Sequence, residues 1–241
     1  MARRGVDWYP VFLDLQGIPV LVVGGGAVAL RKVKGLVQAG ADVTVVAPAL
    51  EAGFRRLKIV HLLRRGFREA DLRNACLVFA ATNQPQVNAR VAAAALERGV
   101  WTNVAAPPEA GNLLVPAALR RGRLCVAIST GGASAAAAKA LRLELEKSLD
   151  AAWSGFLELL EGRRARVLAT VHDATRRRRL LQALGRAKWV KRIRAQGREA
   201  AARAMDKLID LETNGRMRRT TTTRPQHGVT KRTMATGNGK H

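Results

Sequence analysis

The chain has 241 residues, 48% of them hydrophobic, which is enough apolar side chain to bury a core and too much for a disordered protein. It carries 42 Lys and Arg against 18 Asp and Glu, a net charge of +24, of which +9 falls on residues 1–150 and +15 on residues 151–241; such an excess favours polyanionic partners, either nucleic acid or a small molecule with many carboxylates. No apolar run reaches the roughly 18 residues of a membrane span, and MARRGVDWYP has no apolar stretch behind its arginines, so a cytoplasmic protein with no membrane association and no signal peptide is expected.

Strand and helix signals alternate over the first hundred residues. GIPVLVVGGG reads as a buried strand ending in glycines. AVALRKVKGLVQAG reads as a helix with Val28, Leu30, Val33, Leu36 and Val37 on its apolar face and Gly40 as its stop. ADVTVVAP is a second strand, KIVHLL a third and NACLVFAAT a fourth, followed by the helix QVNARVAAAALERG and a fifth strand, VWTNV. This alternation predicts an α/β fold with a doubly wound, Rossmann-type parallel sheet. LLVPAALRRG and RLCVAISTGG then give a turn and a strand, ASAAAAKALRLELEKSL a long helix, and three further helical stretches follow: SGFLELLEGRRARVLATV, ATRRRRLLQALG and REAAARAMDKLIDL. The expected division is 1–112, 113–150, a helical domain over 151–212 and a disordered basic tail over 213–241. Cys76 and Cys125 lie in separate apolar runs, and both are expected to be buried and reduced.

The strand-to-helix turn VLVVGGGAVALRK holds G-x-G-x-x-A as Gly24, Gly26 and Ala29, in the context that a dinucleotide fingerprint requires. Gly24 permits the tight turn, Gly26 lets a pyrophosphate approach the backbone, and Ala29 keeps helix and strand close. The N–H groups of Ala27 and Val28 then face the phosphates at the positive end of the helix. A bare glycine turn is the alternative, and the βαβ context argues against it. The second strand ends in Val46, Ala47, Pro48 and Ala49, with neither the acid that holds an adenine ribose nor an arginine for a 2′-phosphate, so Ala47 and Pro48 would line the adenosine end and NAD against NADP stays open.

At the far end of the sheet, Asn103 ends the fifth strand beside the place expected for the nicotinamide. The loop after it, AAPPEAGN, carries one ionisable side chain, Glu109. Thr82 and Asn88 are expected to orient the loop after the fourth strand, with a structural amide as good an account of Asn88 as a ligand contact. Ser129, Thr130, Gly131 and Gly132 open the long helix; they either hold a substrate carboxylate or form a capping turn. His61, His172, His227 and His241 have no metal-ligand spacing, and no metal site is assigned. Arg176–Arg179 read as a solvated helix face or the rim of a substrate cleft. With aromatics at 4%, stacking on nucleic acid has little to work with, so nucleic acid would bind only non-specifically, through charge.

YPVFLDLQGIPVLVVGGGAVALRKV, AATNQPQVNARVAAAA, TNV and VAISTGGASAAAAKALRLELE together resemble the precorrin-2 dehydrogenase/sirohydrochlorin ferrochelatase family, which also supplies the N-terminal half of siroheme synthase. The resemblance covers residues 8 to about 210. It implies a Rossmann domain, a small α+β dimerisation domain over 113–150 that makes a homodimer, and a C-terminal helical domain. It implies oxidation of precorrin-2 to sirohydrochlorin with a hydride passed to NAD, and in some members insertion of ferrous iron. The substrate is a tetrapyrrole with eight carboxylates, in keeping with a basic protein. On this resemblance Asn88 and Ser129–Gly132 contact substrate, and Thr82 and Asn103 the cofactor. Family members read N-V-V-D where this chain reads Asn103-Val104-Ala105-Ala106, so the acid assigned to proton transfer and chelation is Ala106 here. A methyl group neither takes a proton nor binds iron. Three expectations follow, in order: turnover by positioning alone, with water or substrate carboxylates taking the proton; Glu109 as a substitute acid; or a non-catalytic dinucleotide- and tetrapyrrole-binding protein. Chelation ranks below dehydrogenation.

Overall fold

The computed structural model describes residues 7–57 and 60–214; the expected basic tail lies outside the described residues but for its first two. The chain folds as two compact units, one built on residues up to Ala118 with Ala127–Glu144, the other on Leu119–Val126 with the residues from Leu145 onward.

The first unit is built on five parallel strands, β1 (Pro19–Val23), β2 (Asp42–Val46), β3 (Val60–Leu63), β4 (Leu77–Ala80) and β5 (Trp101–Val104), in the order β3-β2-β1-β4-β5. The order reverses between β1 and β4, and ligands of such sheets bind in the crevice at the carboxyl ends of the strands flanking that reversal. Strand β4 is wholly buried and the last four residues of β1 are buried too, as the continuous apolar runs VLVV and LVFA require. Alternation divides them. Val20, Val22, Leu77 and Phe79 face helix α1 (Ala27–Gln38), while Leu21, Val23, Val78, Ala80 and Val104 face helix α2 (Pro85–Glu97).

Helix α1 buries Ala29, Val33 and Leu36, with Leu30 and Val37 packed partly against the same core. Val28, expected on that face, is exposed instead. It occupies the first turn, one residue before Ala29 rotates onto the sheet, so it points away from the packed stripe. Gly40 ends the helix as expected, with φ +81° and its N–H bonded to Val37 O at 3.0 Å. Cys76, expected in the core, is exposed, and Cys125 is half-buried. Cys76 precedes β4 and is tied there only by its N–H to Pro19 O at 3.0 Å; the buried run begins at Leu77.

The hairpin β6 (Ala117–Arg121) and β7 (Leu124–Ile128) follows, then helix α3 (Ala135–Ser148). Strand β6 falls within a stretch that the sequence marks only as a turn-bearing segment. The second unit packs α4 (Ala151–Thr170), α5 (Ala174–Leu184), α6 (Lys188–Gln196) and α7 (Arg198–Asn214) around Phe156, Leu159, Val167, Leu184, Trp189, Met205 and Ile209. Asp150 and Asp173 cap α4 and α5 by accepting from the N–H groups of Ala152 and Arg176. Helix α6 is absent from the sequence expectations: KWVKRIRAQ is short and densely basic, yet Trp189 and Val190 bury one edge and the Trp189 indole N–H donates to Ala183 O at 2.9 Å. Among the described residues no helix is long and apolar enough to cross a membrane.

Candidate active site

The three consecutive glycines of the turn do different work. A Cβ on Gly24 would lie 2.3 Å from Ala81 O, and its φ is +133°, so this position seals the turn against the end of β4. A Cβ on Gly25 would lie 1.8 Å from Ala49 O. Gly25 O also accepts the Glu51 N–H at 2.9 Å, so the chain after β2 is locked over the turn. Gly25 escapes the sequence reading, since the motif leaves its second position free. A Cβ on Gly26 would meet nothing within 4 Å. Gly26 is the N-cap of α1, and the first N–H groups behind it, those of exposed Ala27 and Val28 included, lack intrahelical partners by construction. Sealed below and open above, the turn is a cradle that fits a pyrophosphate. Of the pair at the end of β2, Ala47 is buried with its N–H on Leu63 O, and Pro48 is exposed.

Thr82 and Asn88 close on each other. Asn88 Oδ1 accepts from the Thr82 N–H at 3.0 Å and from the Thr82 hydroxyl at 2.8 Å, while Asn88 Nδ2 donates to Thr82 O at 3.2 Å and across to Ala106 O at 3.0 Å. Asn88 is 1% exposed, so its amide is spent on building the turn and anchoring the next loop.

That loop, residues 105–112, is bracketed by side-chain amides. Asn88 holds Ala106 at its start, as above. At its return, Asn112 Oδ1 accepts the Thr102 N–H at 2.7 Å, and Asn103 Nδ2 donates to Leu113 O at 2.9 Å. Gly111 is required where the loop folds back, since a Cβ there would lie 2.5 Å from Thr102 O. Ala106 and Glu109 are both exposed on the loop.

Asn103 has a second partner that sequence reasoning missed. It is in register with Phe79 and so stands on the α1 face of the sheet. There Lys32 Nζ donates to Asn103 Oδ1 at 2.6 Å and sits 5.4 Å from the centre of the Phe79 ring. Desolvation holds the Lys32 ammonium below the ordinary lysine range, with the charge of Arg31 adding to the effect. Its place three residues after Ala29, on the buried stripe, is the signal that marked it.

In the turn before α3, Ser129 Oγ accepts the Gly131 N–H at 3.1 Å, and the Thr130 hydroxyl donates to Ser134 O and accepts from its N–H. Gly131 and Gly132 take positive φ with nothing near a Cβ. The helix cap is Ser134, whose Oγ accepts the Ala137 N–H at 3.1 Å. Of the arginine run, Arg176 pairs with Glu212 at 3.1 Å and Arg177 is half-buried, which leaves Arg178 and Arg179 as the solvated pair.

A family model of NAD(P)-binding domains matches residues 11–117. The siroheme synthase of Thioalkalivibrio sulfidiphilus is 40% identical over 209 residues, which cover 85% of this chain and 42% of that one. The siroheme synthase of Methylococcus capsulatus is 35% identical over 212 residues, 82% of this chain and 45% of that one. The chain thus spans less than half the length of these curated relatives. Among solved structures, SirC, a precorrin-2 dehydrogenase, superposes with a TM-score of 0.71 at 30% identity, covering 83% of this chain and 100% of that one.

Proposed function

The chain belongs to the precorrin-2 dehydrogenase family, and from that premise we propose that it oxidises precorrin-2 to sirohydrochlorin with NAD as the hydride acceptor, in the cytoplasm and as a homodimer. The observation that carries the dinucleotide half is the glycine turn, where Gly24 and Gly25 admit no side chain and Gly26 meets nothing. Bound there, the dinucleotide supplies a two-electron acceptor. Gly26, Ala27 and Val28 offer backbone N–H groups to its pyrophosphate, Pro48 lines its adenosine end, and Asn103 flanks its nicotinamide end.

The reaction removes a hydride and a proton from the substrate. This chain's residues around loop 105–112 present backbone, amides and the single carboxylate of Glu109. Ala106 holds no proton, so the loop contributes shape and placement, and the proton leaves to water, to a substrate carboxylate or to Glu109. The turn Ser129–Gly132 supports contact with a substrate carboxylate through the Gly132 N–H and the Ser129 hydroxyl, whose oxygen accepts the Gly131 N–H while its hydrogen stays available, whereas the Thr130 hydroxyl donates to Ser134 O. Asn88 supports binding by fixing the loop from beneath.

The homodimer rests on α3. Of its 14 residues only Ala138 is buried; exposed Leu141 stands one turn beyond exposed Ala137 on one side of the helix, a small-residue face suited to close packing against a second copy, and exposed Leu143 lies on the other side. Iron insertion is not proposed: pyrrole protons must leave as the metal enters, and Ala106 offers no acceptor.

The test is NADH formation from anaerobic precorrin-2 and NAD, with NADP run in parallel. Turnover above the reaction without protein is expected. Tight dinucleotide binding without turnover would replace the enzyme by a binding protein of the same fold.

A further inference from the structure

Lys32 is an expensive residue to keep where it is. A half-buried ammonium loses hydration and usually recovers it from a carboxylate. Among the described residues, no ion pair involves Lys32. Its close partners are a neutral amide oxygen, at 2.6 Å, and an aromatic ring. A leucine would pack at this sheet-facing position at lower cost. The cation must therefore do something that an apolar side chain does not.

What it does is select one of two amide orientations. Asn103 is 8% exposed, and its carboxamide has a donor end and an acceptor end of the same size. With the ammonium on Oδ1, Nδ2 is turned to Leu113 O at 2.9 Å. Rotated by 180°, Oδ1 would meet the Leu113 carbonyl and Nδ2 would meet the ammonium, acceptor against acceptor and donor against donor. Leu113 closes loop 105–112, and its N–H returns to Thr102 O at 3.0 Å. Helix α1 carries Gly26 at one end and Lys32 on its second turn. One rigid helix thus reaches both the dinucleotide cradle and the loop that faces the substrate.

We propose that Lys32 is a positioning residue for the oxidation: it fixes the Asn103 amide and, through Asn103 and Leu113, the loop bearing Ala106 and Glu109. This rests on the dehydrogenase reading for its effect on rate, and not for its effect on the loop.

The experiment compares full-length wild type with Lys32→Met, Lys32→Arg, Asn103→Leu and the double variant. Two readouts are taken: amide hydrogen exchange by mass spectrometry, and the split of kcat from the KM for NAD in the anaerobic assay. In Lys32→Met, exchange over residues 103–113 is expected to rise about tenfold while β1, β2 and β4 stay protected. Its kcat is expected to fall about 10- to 100-fold, the range of a lost charge-assisted hydrogen bond, with the KM for NAD within threefold. Lys32→Arg should recover most of both, and adding Lys32→Met to Asn103→Leu should cost little more. Unchanged exchange over 103–113 overturns the proposal, as does exchange raised uniformly over the sheet, which would make Lys32 a packing residue only. A raised KM for NAD with kcat retained also overturns it, by assigning Lys32 to the cofactor. If wild type itself forms no NADH, the dehydrogenase reading fails and the exchange comparison still decides the role of Lys32.

Discussion

Alanine at each of the adjacent positions Gly25 and Gly26 should separate folding from cofactor binding. At Gly25 the new methyl would sit 1.8 Å from Ala49 O and 3.0 Å from the Ala47 Cβ. Ordinary contact requires the Ala49 backbone to retreat by more than an ångström, and that movement breaks the 2.9 Å bond from Glu51 to Gly25 O. Overpacking of this kind costs about 1–3 kcal/mol and the lost bond about 1 more. Gly25→Ala should therefore lower Tm by roughly 5–15 °C. At Gly26 the methyl meets nothing, and φ −87° with ψ −175° is extended backbone open to any residue. Gly26→Ala should leave stability within about 0.5 kcal/mol of wild type, because the conformational entropy that alanine removes from the unfolded chain offsets its poorer N-capping. It should nonetheless weaken NAD by about a hundredfold, or about 2.7 kcal/mol, because the methyl occupies the space that the pyrophosphate needs. Gly26→Asp adds a like charge and should abolish binding. Scanning calorimetry gives Tm and titration calorimetry gives Kd. A Gly26→Ala protein that binds NAD within threefold of wild type would refute this placement of the pyrophosphate, and a destabilised one would refute the open cradle.

Three further outcomes are expected. Asp71 accepts from Arg65 at 2.8 and 2.6 Å and from the Arg68 N–H at 2.9 Å, and the Arg65 guanidinium holds its carboxyl below the ordinary aspartate range; a depressed folded value stabilises above the unfolded pKa and is lost as pH falls through the folded one. Asp71→Asn should thus cost about 1–3 kcal/mol at pH 7 in urea denaturation, and the gap to wild type should close as pH drops below the carboxylate range; a gap independent of pH would mean that the ion pair is not its source. Ala106→Asp should raise the dehydrogenase rate about tenfold or more by restoring a proton acceptor, read as NADH formation; an unchanged rate would show that another group already serves. Leu141→Glu with Leu143→Glu should turn the dimer into a monomer by sedimentation, and a wild type that is itself monomeric at micromolar concentration would remove the dimer.

The parallel sheet was legible because its central strands, β1 and β4, are buried on both faces and read as unbroken apolar runs, with shorter apolar strand signals alternating with helices around them. Strands β1, β2, β4 and β5 stand where VLVV, DVTVV, LVFA and WTNV place them, and β3 falls within KIVHLL. What escaped was set by contacts between residues far apart in sequence. Gly25 matters because of Ala49, Asn112 because of Thr102, and Lys32 because of Asn103, 71 residues away. Spacing on α1 put Val28 on the apolar face and ignored Lys32. The packing does the reverse, because the stripe starts only at Ala29 and a long side chain can carry its ammonium along the sheet surface. Helix α6 was hidden by its own charge: five of the nine residues from Lys188 to Gln196, both ends among them, are polar or cationic, and the apolar edge of Trp189, Val190 and Ile193 is too short to register as a period. Cys76 was placed in the core from the apolar run it shares with Leu77–Ala80, although it precedes the buried strand by one residue.

Loop 105–112 now has a physical description that its composition conceals. A loop with alanine at position 106 could be idle, and an idle loop would not need three amides and an obligate glycine to hold it. Asn88 and Asn103 donate to the Ala106 and Leu113 carbonyls at the two ends of the loop, and Asn112 accepts the Thr102 N–H of β5. Each is a fixed cost in side-chain entropy that only a defined loop shape offsets. General acid–base help is worth about a hundred- to ten-thousandfold, whereas positioning of reacting groups can contribute more. On the proposed reaction, alanine at position 106 within this scaffold is therefore expected to slow hydride transfer without ending it. Metal insertion has no such reserve, because its pyrrole protons need an acceptor beside the ring. On the proposed reaction, the same loop is expected to serve oxidation of the macrocycle better than metal insertion.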